Sequence, residues 1–230
     1  MCMQDVSWNI LLFGDSDISR WPPSLHPSPP LVHSKISNYS KGGAELADIL
    51  HQIDQWKIQI KDGSNIEPPP STTTRNAAAA RDLFLCCVGE NDIGGGRSMD
   101  QILETFRAVL DGFFPQEKSK HLHNPRMVFL GPKYEPWLTH DNSNRKQYTK
   151  LNNGFQRAIR KHHASAQIIY IDCLTMFCTK ETATVPGAIY GGKAMPNSEY
   201  FDPDGLHLND AGYRMWKKIV EEKTAELIDV

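Results

Sequence analysis

The chain has 230 residues, of which 40% are hydrophobic and 23% charged, and its formal net charge is -2. That length and composition suit one soluble α/β domain, spanning residues 1–230, with a sizeable core. A chain this close to neutral offers no nucleic-acid footprint, and the short run Arg157, Arg160 and Lys161 reads as a solvated helix face.

The first apolar run, Asn9 to Phe13, stops at Gly14 and reads as a buried strand. It is far too short for a signal-peptide core or a membrane span. A proline-rich loop, Trp21 to Pro30, leads to a weaker strand at Leu31 to Ser37. Ala44 to Trp56 places Leu46, Ile49, Leu50 and Ile53 on one helical face. Lys61 to Ala80 carries three consecutive prolines, a Ser/Thr run and four alanines, and reads as an extended surface insertion. Asp82 to Val88 is the next strand. Met99 to Phe113 is a helix with Ile102, Phe106, Leu110 and Phe113 aligned. Strands at Arg126 to Leu130 and Gln167 to Ile171 then alternate with helices at Asn144 to His162 and Asn209 to Leu227. Continuous apolar runs of this length suit parallel strands covered on both faces. Their alternation with helices predicts a doubly wound sheet with right-handed crossovers.

The cysteines are Cys2, Cys86, Cys87, Cys173 and Cys178. An odd count at irregular spacing argues against a disulfide framework. Cys86 and Cys87 sit in an apolar run as small hydrophobes facing opposite ways. A reducing compartment follows, and a cytoplasmic location with no integral membrane association is expected.

In a doubly wound sheet, ligands sit beyond the carboxyl ends of the strands. Gly14-Asp15-Ser16-Asp17 follows the first strand. Lys41-Gly42-Gly43 follows the second, Gly89-Glu90-Asn91-Asp92 the third, and Asp204-Gly205-Leu206-His207 precedes the last helix. Each alone has a plain structural use. Ser16 could cap a helix, and Asn91-Asp92 and Asp204-Gly205 could form turns. Their joint order is more specific, because four polar clusters from distant parts of the chain converge on one edge.

These blocks resemble those of the SGNH/GDSL hydrolases in order and spacing over nearly the whole chain, and Asp204 to Tyr213 is a particularly close likeness. The resemblance implies a three-layer α/β/α fold, flavodoxin-like, around a parallel sheet of about five strands. It also implies metal-independent, cofactor-free hydrolysis of a small-molecule ester through an acyl-enzyme. Ser16 would be the nucleophile, His207 its base, and Asp204 the carboxylate orienting the imidazole. A serine hydroxyl needs such a base, being a weak nucleophile at its free pKa. The oxyanion hole would comprise the backbone N–H groups of Ser16 and Gly43 and the side-chain amide of Asn91.

The chain departs from the pattern in two places. Asp17 stands where the family name implies leucine, which points to a changed pocket rim. The second block has two glycines; Gly43, directly before the helix, is favoured over Gly42. Trp21, Tyr134, Trp137 and Phe201 are candidate substrate-lining aromatics, with packing as the alternative. Gly94-Gly95-Gly96 lacks the following Lys and Ser/Thr of a phosphate loop, and the pairs His121/His123 and His162/His163 lack the spacing of a metal site. A short-acyl or carbohydrate-acetyl ester is the expected substrate. A lysophospholipase or thioesterase is the alternative within enzymes, and a non-catalytic binding module the alternative outside them.

Overall fold

Strand β1 (Trp8–Gly14) buries both of its faces. Leu11 and Phe13 point into one apolar cluster, while Trp8, Ile10 and Leu12 point into another. This two-sided burial explains why the strand carries no alternating polar residues. The computed structural model describes residues 8–27, 34–61, 81–116, 125–140, 142–179 and 195–228. His121, His123 and nearly all of the 61–80 insertion lie outside these residues.

β1 pairs in parallel with β2 (Ser34–Asn38) and β3 (Arg81–Cys87), and β4 (Arg126–Leu130) and β5 (Ile168–Ile171) complete the sheet. The strand order is β2-β1-β3-β4-β5. One face is covered by α2 (Leu46–Lys61), α4 (Met99–Phe113) and α5 (Asn142–Lys161); the other is covered by α6 (Asp210–Ile228). The fold is therefore a three-layer α/β/α sandwich on a five-stranded parallel sheet. No helix among the described residues is long and apolar enough to cross a membrane.

Phe13, Phe84, Phe113 and Trp56 form an aromatic group beneath α2 and α4, with Phe13 edge-on to the other three. Trp21, Tyr213 and Trp216 form another beneath α6. Cys86 and Cys87 are both buried, one in each apolar cluster. Short α1 (Ser16–Ser19) and α3 (Glu90–Gly94) follow β1 and β3 directly, and β6 (Cys178–Thr179) pairs antiparallel with β7 (Met195–Pro196).

The strand order reverses direction between β1 and β3, and such a switch point opens a crevice at the carboxyl ends of the two strands. The ends of β1 and β3 are drawn together there. A Cβ on Gly14 (φ 151°) would lie 2.3 Å from the Cys87 carbonyl oxygen, so no larger residue fits.

Candidate active site

Ser16 is the first residue of α1, immediately beyond the end of β1. Asp15 caps this helix, its Oδ1 accepting the Asp17 N–H at 3.0 Å. Burial is the main cause that holds the Asp15 carboxyl well above its ordinary range, with the charges of Asp17 and Glu90 adding to it. The side-chain amide of Gln52, on α2, brackets Gly14: it accepts the Gly14 N–H at 3.1 Å and donates to the Gly14 carbonyl at 3.2 Å. The nucleophile candidate thus follows a strand end fixed by sheet, helix and side chain together.

The second block folds as a turn tied to the other two. Lys41 N–H donates to the Gly14 carbonyl at 3.0 Å, and Ala44 N–H donates to the Lys41 carbonyl at 3.1 Å. The Asn91 amide donates to the Ala44 carbonyl at 3.0 Å. Gly43 has φ 73°, whereas a Cβ there would meet nothing within 4 Å, so the backbone conformation and not space calls for glycine. Asp92 caps α2 by accepting the Leu46 N–H at 3.0 Å, and burial raises its pKa to about 6.

On the facing side, Asp204 folds its own loop. Its Oδ1 accepts the N–H groups of Leu206 and His207 at 2.9 and 3.0 Å. Its Oδ2 accepts the His207 Nδ1–H at 2.7 Å. These bonds, the ring's first, hold the Asp204 carboxyl well below the usual range. They fix the imidazole with Nδ1 protonated, leaving Nε2 as the acceptor. Among the described residues, no hydrogen bond joins Ser16 Oγ to His207 Nε2. Catalytic contacts of this kind are often loose without substrate.

Of the four aromatics expected to line a substrate site, only Trp137 is exposed. Trp21 is 2% exposed, stacks on Tyr213 with centroids 5.8 Å apart, and donates its indole N–H to the Leu25 carbonyl at 2.8 Å. Phe201 packs on Phe177 in the same cluster. Tyr134 lies under Arg145, whose guanidinium is 4.3 Å from the ring centroid. The substrate-lining expectation is corrected for these three: each ring is spent on packing.

Sequence reasoning missed Gln52 and a buried ionic cluster. Lys133 Nζ donates to Asp17 Oδ2 at 2.5 Å, to Glu135 Oε1 at 2.7 Å and to Glu90 Oε2 at 3.1 Å. The available signal was Asp17 itself, since a carboxylate at an apolar position demands a buried counter-charge. Asp111, His162 and His163 also gather, at the ends of α4 and α5. There the Ala164 N–H donates to His162 Nδ1, which leaves Nε2 protonated and facing Asp111 at 3.2 Å. A hydrogen bond from the neutral imidazole to the Asp111 carboxylate explains that group better than a metal site.

A family model described as "GDSL-like Lipase/Acylhydrolase family" matches residues 12–215. The chain belongs to this GDSL-like lipase/acylhydrolase family. The family assignment makes a hydrolase of the esterase/acylhydrolase type the coarse functional class. No curated protein matches the chain. Similar folds among solved structures include a lipolytic G-D-S-L family protein from Veillonella parvula, with 14% identity and a TM-score of 0.54, covering 94% of this chain and 97% of that one. The psychrotrophic esterase EstA from Pseudoalteromonas has 13% identity and a TM-score of 0.56, over 96% and 99% of the two chains. A lipase/acylhydrolase from Enterococcus faecalis has 16% identity and a TM-score of 0.50, over 94% of each.

Proposed function

We propose that this GDSL-family chain is a serine ester hydrolase working through an acyl-enzyme. The observation that carries the reading is the Asp204–His207 pair: a 2.7 Å bond to Nδ1 from a carboxylate that also accepts the His207 backbone N–H. This arrangement presents Nε2 as a base. In the proposed reaction Ser16 Oγ attacks the ester carbonyl while His207 Nε2 takes its proton. The imidazolium, stabilised by Asp204, returns that proton to the departing alcohol. Water repeats the sequence on the acyl-enzyme and releases the acid. The negative charge on the former carbonyl oxygen is received by the N–H groups of Ser16 and Gly43 and the second amide hydrogen of Asn91, whose first is given to Ala44.

Trp137, half-exposed beside the His207 loop, is the remaining candidate for substrate contact: its N–H donates to the Gly205 carbonyl at 3.3 Å. A short-acyl or carbohydrate-acetyl ester is the substrate class we favour, with the exposed Trp137 ring as its contact. A fluorophosphonate probe tests the mechanism, and phosphonate chemistry has a precedent in EstA, whose structure is described as inhibited by monoethylphosphonate. Labelling of Ser16 that disappears in Ser16→Ala is the expected result. An unlabelled wild-type protein would overturn the reading in favour of a binding module. A p-nitrophenyl ester series from acetyl to palmitoyl tests the substrate class; faster turnover of the long chains would favour the lysophospholipase alternative.

A further inference from the structure

The buried cluster around Lys133 connects three segments that come from distant parts of the chain. Lys133 is 1% exposed, Asp17 2% and Glu135 0%. Asp17 is the residue after Ser16. Glu90 is the residue before Asn91, and it accepts from Lys133 twice: from the backbone N–H at 2.7 Å and from Nζ at 3.1 Å. Glu135 accepts the Lys133 ammonium with Oε1 at 2.7 Å and the Trp137 indole N–H with Oε2 at 2.5 Å. The Trp137 backbone N–H then holds Gly205, two residues before His207. One ammonium is therefore bonded to carboxylates standing next to the nucleophile, next to the oxyanion amide, and at the head of a link to the base loop.

Electrostatics makes this contact strict. Burial alone would pull the Lys133 pKa down, but Asp17, Glu135 and Glu90 together reverse that and carry it well above the ordinary value. The lysine stays charged. Burial keeps the Glu135 carboxyl well above its ordinary range despite the ammonium beside it. Asp17 Oδ1 is buried without a hydrogen-bond partner, so Asp17 is held by its ammonium bond through Oδ2. A network this dry has few alternative arrangements, because any shift leaves a buried charge unpaired.

We propose that Lys133 is a positioning residue that sets the spacing of Ser16, Asn91 and His207 through Asp17, Glu90 and Glu135. This inference rests on the esterase reading above. Lys133 touches no reacting atom; it acts by holding three loops in the geometry that the reaction needs. The polar substitution at position 17 is then the partner of the lysine, and has little to do with the pocket rim.

Two variants test the proposal, with p-nitrophenyl acetate hydrolysis and the thermal midpoint measured for each. Lys133→Met combined with Asp17→Leu removes one positive and one negative charge and fills the space with apolar atoms. Glu90→Gln is nearly isosteric and sits at the least buried corner of the cluster. It turns one acceptor into a donor facing a Lys133 donor, and so cuts the link to α3. Glu90→Gln is expected to keep a midpoint near wild type, whereas the double variant, which still leaves Glu90 and Glu135 without their cation, is expected to lower it; in both, kcat falls ~10–100-fold with KM little changed, the signature of misplaced catalytic groups. The wild-type kcat in a folded Glu90→Gln variant would overturn the proposal, whether or not the double variant folds. A loss confined to KM would overturn it too, because that marks a binding role. If wild-type protein neither labels with fluorophosphonate nor hydrolyses the ester, the functional reading fails and takes this inference with it. An active wild type beside an equally active Glu90→Gln removes this inference alone.

Discussion

The two walls of the crevice are built by opposite means. On the β1 side, Ser16 stands on a strand end buried on both faces, with Gln52, Asp15, Asp17 and Lys133 all beneath it. On the other side, His207 is held by a loop whose key carboxylate, Asp204, has a side chain 45% exposed to water. The first wall is fixed by long-range contacts inside the core. The second is fixed mainly by hydrogen bonds within the loop itself, with one longer tie from Trp137 to Gly205. Substitutions in the buried supports beneath Ser16 should therefore disturb stability and catalysis together, whereas substitutions in the second wall should reach catalysis alone.

Ser16→Ala gives the largest effect: fluorophosphonate labelling and acyl-enzyme turnover should vanish at an unchanged thermal midpoint. If labelling persisted, the nucleophile would lie elsewhere. Asp204→Asn should lower kcat by ~10³–10⁴, because the wrong imidazole tautomer is then favoured, with the midpoint again unmoved. A midpoint that fell sharply would break the contrast between the walls. Lys133→Met is the counterpart on the buried side. It leaves three carboxylates without their cation, which costs about 3–5 kcal/mol of stability, and a thermal scan should read this as a large drop. Asn91→Ala should reduce kcat by ~10²–10³ with little change in KM, the usual size for one oxyanion donor. An unchanged kcat would confine Asn91 to its bond with Ala44.

The smallest effect concerns pH. Asp92 has a folded pKa of about 6, raised by burial from 3.8. A raised acid favours the folded state below its unfolded pKa and loses that contribution as pH climbs through the folded one. The thermal midpoint should therefore drift downward between about pH 4 and pH 6, and Asp92→Asn should remove ~3 kcal/mol of that dependence. Identical profiles for the two proteins would mean that Asp92 does not titrate in this range.

Where packing has a period, the sequence is readable. Met99–Phe113 is the helix that its apolar spacing predicts, and Arg126–Leu130 is the strand. The weaker strand, expected at Leu31 to Ser37, is described at Ser34–Asn38, on the sheet edge. Lys35 and Ile36 are exposed there, so a core pattern had little to act on. The four motif blocks were legible because their chemistry is local to each strand end. The lysine cluster was not, since Asp17 and Lys133 are 116 residues apart and only the fold brings them together. Trp21 and Phe201 misled for a related reason. An aromatic ring next to a functional block serves the core as readily as the site, and its neighbours in sequence do not say which.

Cys86 and Cys87 have a practical use that follows from their placement. They are consecutive in the chain, yet one thiol is sealed beneath α2, α4 and α5 and the other on the α6 side. Burial pushes both thiols up, so neither reacts while its layer stays shut. Two variants that each keep one of them would act as paired clocks. Their alkylation rates would time the opening of each half of the sandwich from a single point in the sheet.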